Sequence, residues 1–210
     1  HLLRRQRQMC IRDSNQIDTL VLMEQFGKGL VLEPFLANIV LAGGAIKRGA
    51  SKALKESIIP KLIEGNLQLT LAYAEEQSRF DIEDVATAAR EDAGNFIING
   101  KKSMVLNAES ADKVVVVTRT SGSQVDINGI SLFLVDLDSE GIERDNFPTV
   151  DGLRASEISF KDVEVSAENL IGEKDKGFSI LQEVVNDAIL ALSAEAVGAM
   201  EVLYLSLIHI

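Results

Sequence analysis

Histidine, cysteine and tryptophan are nearly missing from this chain, whose 210 residues hold two His, one Cys and no Trp. Both histidines, His1 and His209, and the cysteine, Cys10, sit at the extreme ends, so the long middle has neither imidazole nor thiol. That body therefore has no Ser-His-Asp or Cys-His nucleophile and no Cys/His zinc site. A disulfide within the chain is excluded as well. Its chemistry has to come from carboxylates, hydroxyls, backbone groups or a bound organic cofactor.

Positive charge is also short: 21 Lys and Arg face 32 Asp and Glu, for a formal net charge of −11. Binding a phosphate backbone needs clustered cations that release counterions, so a nucleic-acid surface is not expected. No apolar run reaches the ~20 residues that span a bilayer, because Glu, Lys or Gly interrupts each one. With 46% hydrophobic and 25% charged residues, the composition fits a soluble globular protein of one or two domains, and a cytoplasmic location is expected.

The two ends read differently from the rest. His1 to Ser14 carries Arg4, Arg5, Arg7 and Arg12 against Asp13 alone, four positive charges against one negative. The strings from Met9 to Ser14 and from Leu205 to Ile210 look like translated sequencing-adapter remnants, and both ends are set apart from the fold. The alternative is a basic arm and a frayed helix end.

Hydrophobic period divides the body into three. Residues 15–66 are read as a partial helical domain, broken at Gly43 and Gly44, with Ser51 as the N-cap of a second helix and Gly65 as its stop. Residues 67–170 switch to short β-rich runs: Leu67–Tyr73, Val85–Arg90, Phe96–Ile98, Val114–Thr118, Ile130–Val135 and Glu157–Phe160. Asn99-Gly100 has the composition of a type I′ hairpin turn. So many short strands without a long helix between them predict an antiparallel barrel or sandwich.

Residues 171–204 return to helical spacing, through Phe178, Leu181, Val185, Ile189, Leu192, Ala196, Met200 and Leu203. With no partner helix following, this predicts an exposed apolar stripe on the first helix of a truncated bundle. The fold class expected is thus multi-domain α+β.

Four segments resemble one family in sequence and in order. Asn99-Gly-Lys-Lys-Ser-Met-Val-Leu-Asn-Ala-Glu-Ser-Ala-Asp112 is similar to the N-G-x-K-x-W-I-T-N-G-x-x-A-D strand of the acyl-CoA dehydrogenases. Gly152-Leu-Arg-Ala-Ser156 with Phe160 to Val165, Glu168 to Glu173 followed by Gly177-Phe178, and Ala194-Glu-Ala-Val-Gly198 follow in the family's order. Ala72 to Asp81 resembles its A-x-T-E-P-G-A-G-S-D flavin loop. Ala74 stands there for a Thr, and Glu76, Gln77, Arg79 and Phe80 stand for Pro, Gly, Gly and Ser.

The resemblance implies FAD as cofactor, an acyl-CoA thioester as substrate, hydride transfer to flavin N5, a homo- or hetero-oligomer, and an electron-transfer flavoprotein or similar acceptor. It carries flavin contacts onto Tyr73, Ala74, Glu75, Phe80, Met104, Val105 and Leu106, and substrate contacts onto Phe80 and Asn186. Arg79 is a candidate charge for a pyrophosphate. Met104, Val105 and Leu106 fall where the family keeps W-I-T, so an indole and a hydroxyl give way to apolar groups; they read equally well as core strand residues. Asn186 and Ile189 stand where many relatives keep an Asp and an Arg, and Asp187 reads as a solvated charge or a displaced equivalent. The family's catalytic Glu lies beyond residue 203, and no metal is implied. Small-subunit, pimeloyl-CoA dehydrogenase-like members are the nearest resemblance, and a non-catalytic partner subunit is the alternative to an enzyme.

Overall fold

The computed structural model describes residues 16–208, so the N-terminal segment set apart as foreign lies outside the described residues. Helix α1 (Gln16–Gly29) is followed by a π-helix (Leu36–Gly43), α2 (Gly44–Gly49) and α3 (Lys52–Glu64). The strands then run β1 (Leu69–Ala72), β2 (Ala88–Asp92), β3 (Asn95–Leu106), β4 (Lys113–Arg119), β5 (Ile130–Asp136), β6 (Ile142–Pro148), β7 (Arg154–Ser166) and β8 (Leu170–Ile171). Helix α4 (Phe178–Ile208) closes the chain and continues unbroken through Leu205.

All eight strands belong to one sheet, ordered β6-β7-β3-β2-β4-β5-β8, with β1 on β4. Pairing is antiparallel except where β1 and β2 meet β4 in parallel. The sheet curls, bringing Phe96 of β3 within 4.6 Å of Phe133 of β5, ring centroid to centroid. It thereby separates two cores. Val115 and Val117 of β4 face the helices with Leu22, Phe26, Ile46 and Leu181. Val114 and Val116 face the curled interior with Ile98, Ile158 and Phe160. A strand covered on both faces needs apolar residues at every position, which is why β4 reads as an unbroken valine run.

Several local expectations hold. Ser51 Oγ accepts from Leu54 N at 3.2 Å, and Gly65 takes the left-handed cap at φ 79°. Others do not. Gly43 and Gly44 do not break the helix, because both are right-handed helical and carry the π-helix into α2. The break comes at Ala50, which is extended.

Asn99-Gly100 makes no hairpin, since β3 runs through it and pairs with β7 on either side. The tight turn is Ala93-Gly94, with φ 48° and 88°, joining β2 to β3 across the Asp92–Asn95 pair. Positive φ at both centres is the type I′ requirement, and Gly94 is the residue that meets it without a steric cost. Edge strand β6 escaped the strand reading because Glu143, Arg144, Asp145 and Asn146 leave it polar and exposed, as suits an edge that must not pair further.

The apolar stripe expected to be exposed on α4 is exposed from Ile189 onward but packed at Leu181. Leu181, Val184, Ala188, Ala191 and Gly198 are buried, whereas Ile189, Leu192, Met200 and Leu203 are exposed. The buried positions include small residues because α1 crosses there in close contact. A Cβ on Gly27 would lie 1.9 Å from Glu195 O, and one on Gly198 would lie 2.0 Å from Glu24 O. Lys28 clasps the crossing, 2.8 Å from both Glu24 and Glu201.

Asp187 is not a solvated charge: it accepts from Arg48, which also bonds Glu183 at 2.9 Å, and from Gln16 at 2.8 Å. By length and composition α4 is apolar enough to cross a membrane, with a hydropathy of 1.6, contrary to the reading that no segment is. Its packed face and its ion pairs to α1 and α2 are those of a bundle helix.

Candidate functional site

The two segments that the family resemblance picks out meet at the edge of the inner core. Strand β1, held by parallel pairing to β4, ends at Ala72 and delivers Tyr73 and Ala74, both half-buried. Strand β3 pairs with β7 up to Lys102 and resumes at Val105, with Ser103 and Met104 bulged out between. Ser103 N donates to Ala74 O at 2.9 Å, and Thr70 Oγ1 donates to Leu106 O at 2.6 Å. These bonds set Tyr73 and Ala74 beside Met104 and Leu106.

The bulge changes which way side chains point. Before it, Phe96, Ile98 and Lys102 alternate inward; after it, Val105 does, at 1% exposure. Val105 is therefore core and is not available to a ligand. Met104 is 51% exposed and holds φ 51°, a left-handed conformation that a side chain with a Cβ adopts at a cost. Asn107, at φ 58°, is a residue type that tolerates that region.

Glu75 is withdrawn from the wall. Its carboxylate is buried and accepts from Lys102 Nζ at 2.6 Å, Gln77 Nε2 at 2.7 Å, Ala86 N at 2.9 Å and Thr87 N at 3.0 Å. Burial alone would raise its pKa, but the Lys102 ammonium and these donors outweigh it and hold the group at about 2. Lys102 is wholly buried, and burial pushes its pKa down to about 8 against the attraction of Glu75. Both values leave the pair ionised near neutrality.

A second buried cation fixes the neighbouring loops. Arg119 donates to the carbonyls of Asp126 at 2.6 Å, Gln124 at 2.7 Å, Glu83 at 2.8 Å and Asn128 at 3.0 Å. Neither cation figured among the expected site residues. Lys102 could have been found, since a lysine on the inward period of a strand demands a buried partner. Arg119 closes an apolar strand, and nothing in the pattern marks it.

The remaining expected residues are dispersed. Phe80 is 97% exposed beyond the turn that Ser78 closes by hydrogen bonds with Glu75, and it adds no buried surface to the wall. Arg79 is exposed at φ 49°. Asn186 is exposed on α4, which packs chiefly on α1, the π-helix and α2. A surface hollow of about 520 Å³ lies elsewhere, between the β5–β6 loop and β7, lined by Ser139, Glu140, Gly141, Lys161, Asp162 and Glu164. Its three carboxylates suit neither an apolar ring nor a pyrophosphate. Among the described residues, no group of three or more His, Cys, Asp or Glu side chains is placed to hold a metal ion.

Residues 70–163 match the model of the acyl-CoA dehydrogenase middle domain. The chain belongs to the acyl-CoA dehydrogenase family. It is 30% identical over 178 residues to the mitochondrial long-chain specific acyl-CoA dehydrogenase of Sus scrofa, covering 83% of this chain and 39% of that protein. It is 27% identical over 187 residues to the caffeyl-CoA reductase-Etf complex subunit CarC of Acetobacterium woodii, covering 87% and 49%. The FAD complex of PigA has the same fold, with a TM-score of 0.87, 24% identity, and coverage of 95% and 54%. The chain thus spans about half the length of the relatives it matches or less.

The donor set decides how an isoalloxazine ring would fit this family member. Tyr73, Ala74 and Leu106 are half-buried and Met104 is exposed, and apolar, polarizable side chains of this kind would suit the face of a flat ring. At Ala74 and Leu106 the hydroxyls expected from the family pattern are absent, so polar contacts to the ring would fall to backbone groups. The wall fits the ring's face and gives its polar edge few side-chain donors.

Proposed function

We propose that this chain supplies the flavin-facing wall of an acyl-CoA dehydrogenase that oxidises an acyl-CoA thioester between its α and β carbons. The observation that carries this reading is the hydrogen bond from Ser103 N to Ala74 O, which joins the two family segments. Bound FAD would accept the hydride. Tyr73, Ala74, Met104 and Leu106 would hold the ring face, exclude water from it and fix its orientation. The base that takes the substrate proton is assigned, on the family resemblance, to chain beyond residue 203. Asn186 remains the proposed substrate contact on α4.

The names of relatives support the partners proposed. CarC is a subunit of a reductase-Etf complex, in line with an oligomer that passes electrons to an electron-transferring flavoprotein. A second reading, a non-catalytic subunit of a heteromeric dehydrogenase, is favoured by Ala74, Leu106 and Ile189, which remove hydroxyl and guanidinium groups from the expected positions.

Anaerobic addition of acyl-CoA thioesters to the flavin-loaded, longer polypeptide tests the proposal. Bleaching of the flavin by a thioester supports the enzyme reading. Flavin that is bound but bleached only when a paralogous subunit is added supports the partner reading, and a protein that takes up no flavin contradicts the enzyme reading and favours the partner one.

A further inference from the structure

The geometry points to Glu75 and Lys102 as positioning residues that lock the loop after β1 to the β3 bulge, so that Ala74 and Met104 present one face. The importance of that face rests on the flavin reading; the locking does not. Each member of the pair immediately adjoins the wall, Glu75 following Ala74 and Lys102 preceding Ser103 and Met104. Their charged atoms lie 2.6 Å apart, with side-chain exposures of 3% and 0%.

The carboxylate does more than pair. By accepting from Ala86 N and Thr87 N it ties the far end of the loop, residues 76–86, back to its beginning. Lys102 Nζ also reaches Tyr73 O at 3.4 Å, so the ammonium touches both sides of the junction. The one backbone bond across it, Ser103 N to Ala74 O, would not by itself fix the left-handed Met104.

Energetics argue for placement over stability. Desolvating two charges commonly costs as much as their attraction returns, and an apolar pair of similar volume is often as stable or more so. What an apolar pair cannot do is accept the two amides of the loop or fix a bulge in one register. A β-bulge re-aims side chains next to functional sites, and here it turns Met104 outward while Val105 returns to the core.

Methionine methyl resonances read the two effects separately in the full chain, because Met104 lies at the bulge and Met23 is 2% exposed in the helix-facing core. The double variant Glu75→Leu/Lys102→Met is compared with wild type and with Glu75→Gln. For the double variant, the expected result is an unmoved Met23 methyl, a shifted or broadened Met104 methyl, and amide exchange at Ala86 and Thr87 faster by about tenfold or more. Glu75→Gln, which retains an acceptor, should show the same changes to a smaller extent.

An unmoved Met104 methyl and unchanged exchange would overturn the inference. Collapse of the Met23 signal in both variants would also overturn it, by making the pair a requirement for folding. No flavin is present in this experiment, so its failure leaves the flavin reading standing, and failure of flavin binding leaves the locking intact.

Discussion

Lys102 Nζ lies 2.6 Å from Glu75 Oε1, with both side chains sealed from solvent at the junction of β1 and β3. The pair makes stability depend on pH in two windows of opposite sign. Glu75 is depressed from 4.5 to about 2 because Lys102 and its donors outweigh burial, so its contribution is present above 4.5 and lost as pH falls towards 2. Lys102 is depressed by burial from 10.5 to about 8, so the cost of burying its charge is full below 8 and lifts as pH rises towards 10.5. Unfolding free energies of wild type from urea titrations, referred to Glu75→Leu/Lys102→Met, should fall by about 3 kcal/mol in the acid window and rise in the alkaline one. A difference flat across both windows would refute the assignment.

The helix crossing gives a steric prediction. Gly27→Ala and Gly198→Ala should each destabilise the chain by about 2 kcal/mol, because each new methyl meets a backbone carbonyl at 2.0 Å or less. Gly29→Ala is the control: its methyl would meet only a Val31 side chain at 3.4 Å, and it should be neutral or slightly stabilising. Thermal melts of the three variants check this, and equal effects at all three positions would contradict the close crossing.

Arg119 is predicted to hold two loops together through geometry rather than charge. Arg119→Lys keeps the positive charge but cannot span the carbonyls of Glu83, Gln124, Asp126 and Asn128. It should cost about 3 kcal/mol and open residues 120–129 to protease. A lysine variant that resists cleavage as wild type does would show that charge alone suffices.

These sites differ in how far the sequence displayed them. The three-part order, the Ser51 cap and the Gly65 stop were all legible, because each rests on local pattern. Asn99-Gly100 misled because pairing with β7 on both sides keeps β3 extended there, and tertiary pairing outweighs a turn-prone dipeptide. Strand β6 was hidden because an edge strand needs no apolar alternation. The inward turn of Val105 was illegible too: a one-residue slip at the bulge exchanges the faces of a strand, and no residue type marks the slip.

Met104 sets stability against function. Its left-handed φ of 51° suits glycine, so Met104→Gly should stabilise the ligand-free chain by up to about 1 kcal/mol. Loss of the thioether should at the same time weaken flavin binding. A variant that is both less stable and unaltered in flavin affinity would show that Met104 is an ordinary strand residue.

Fluorescence of FAD titrated with the chain tests the central claim most directly, since it asks whether the face made by Tyr73, Ala74, Met104 and Leu106 meets an isoalloxazine ring. The account predicts saturable quenching that Met104→Asp abolishes while the fold survives. Absence of quenching, or quenching that Met104→Asp leaves intact, would contradict it.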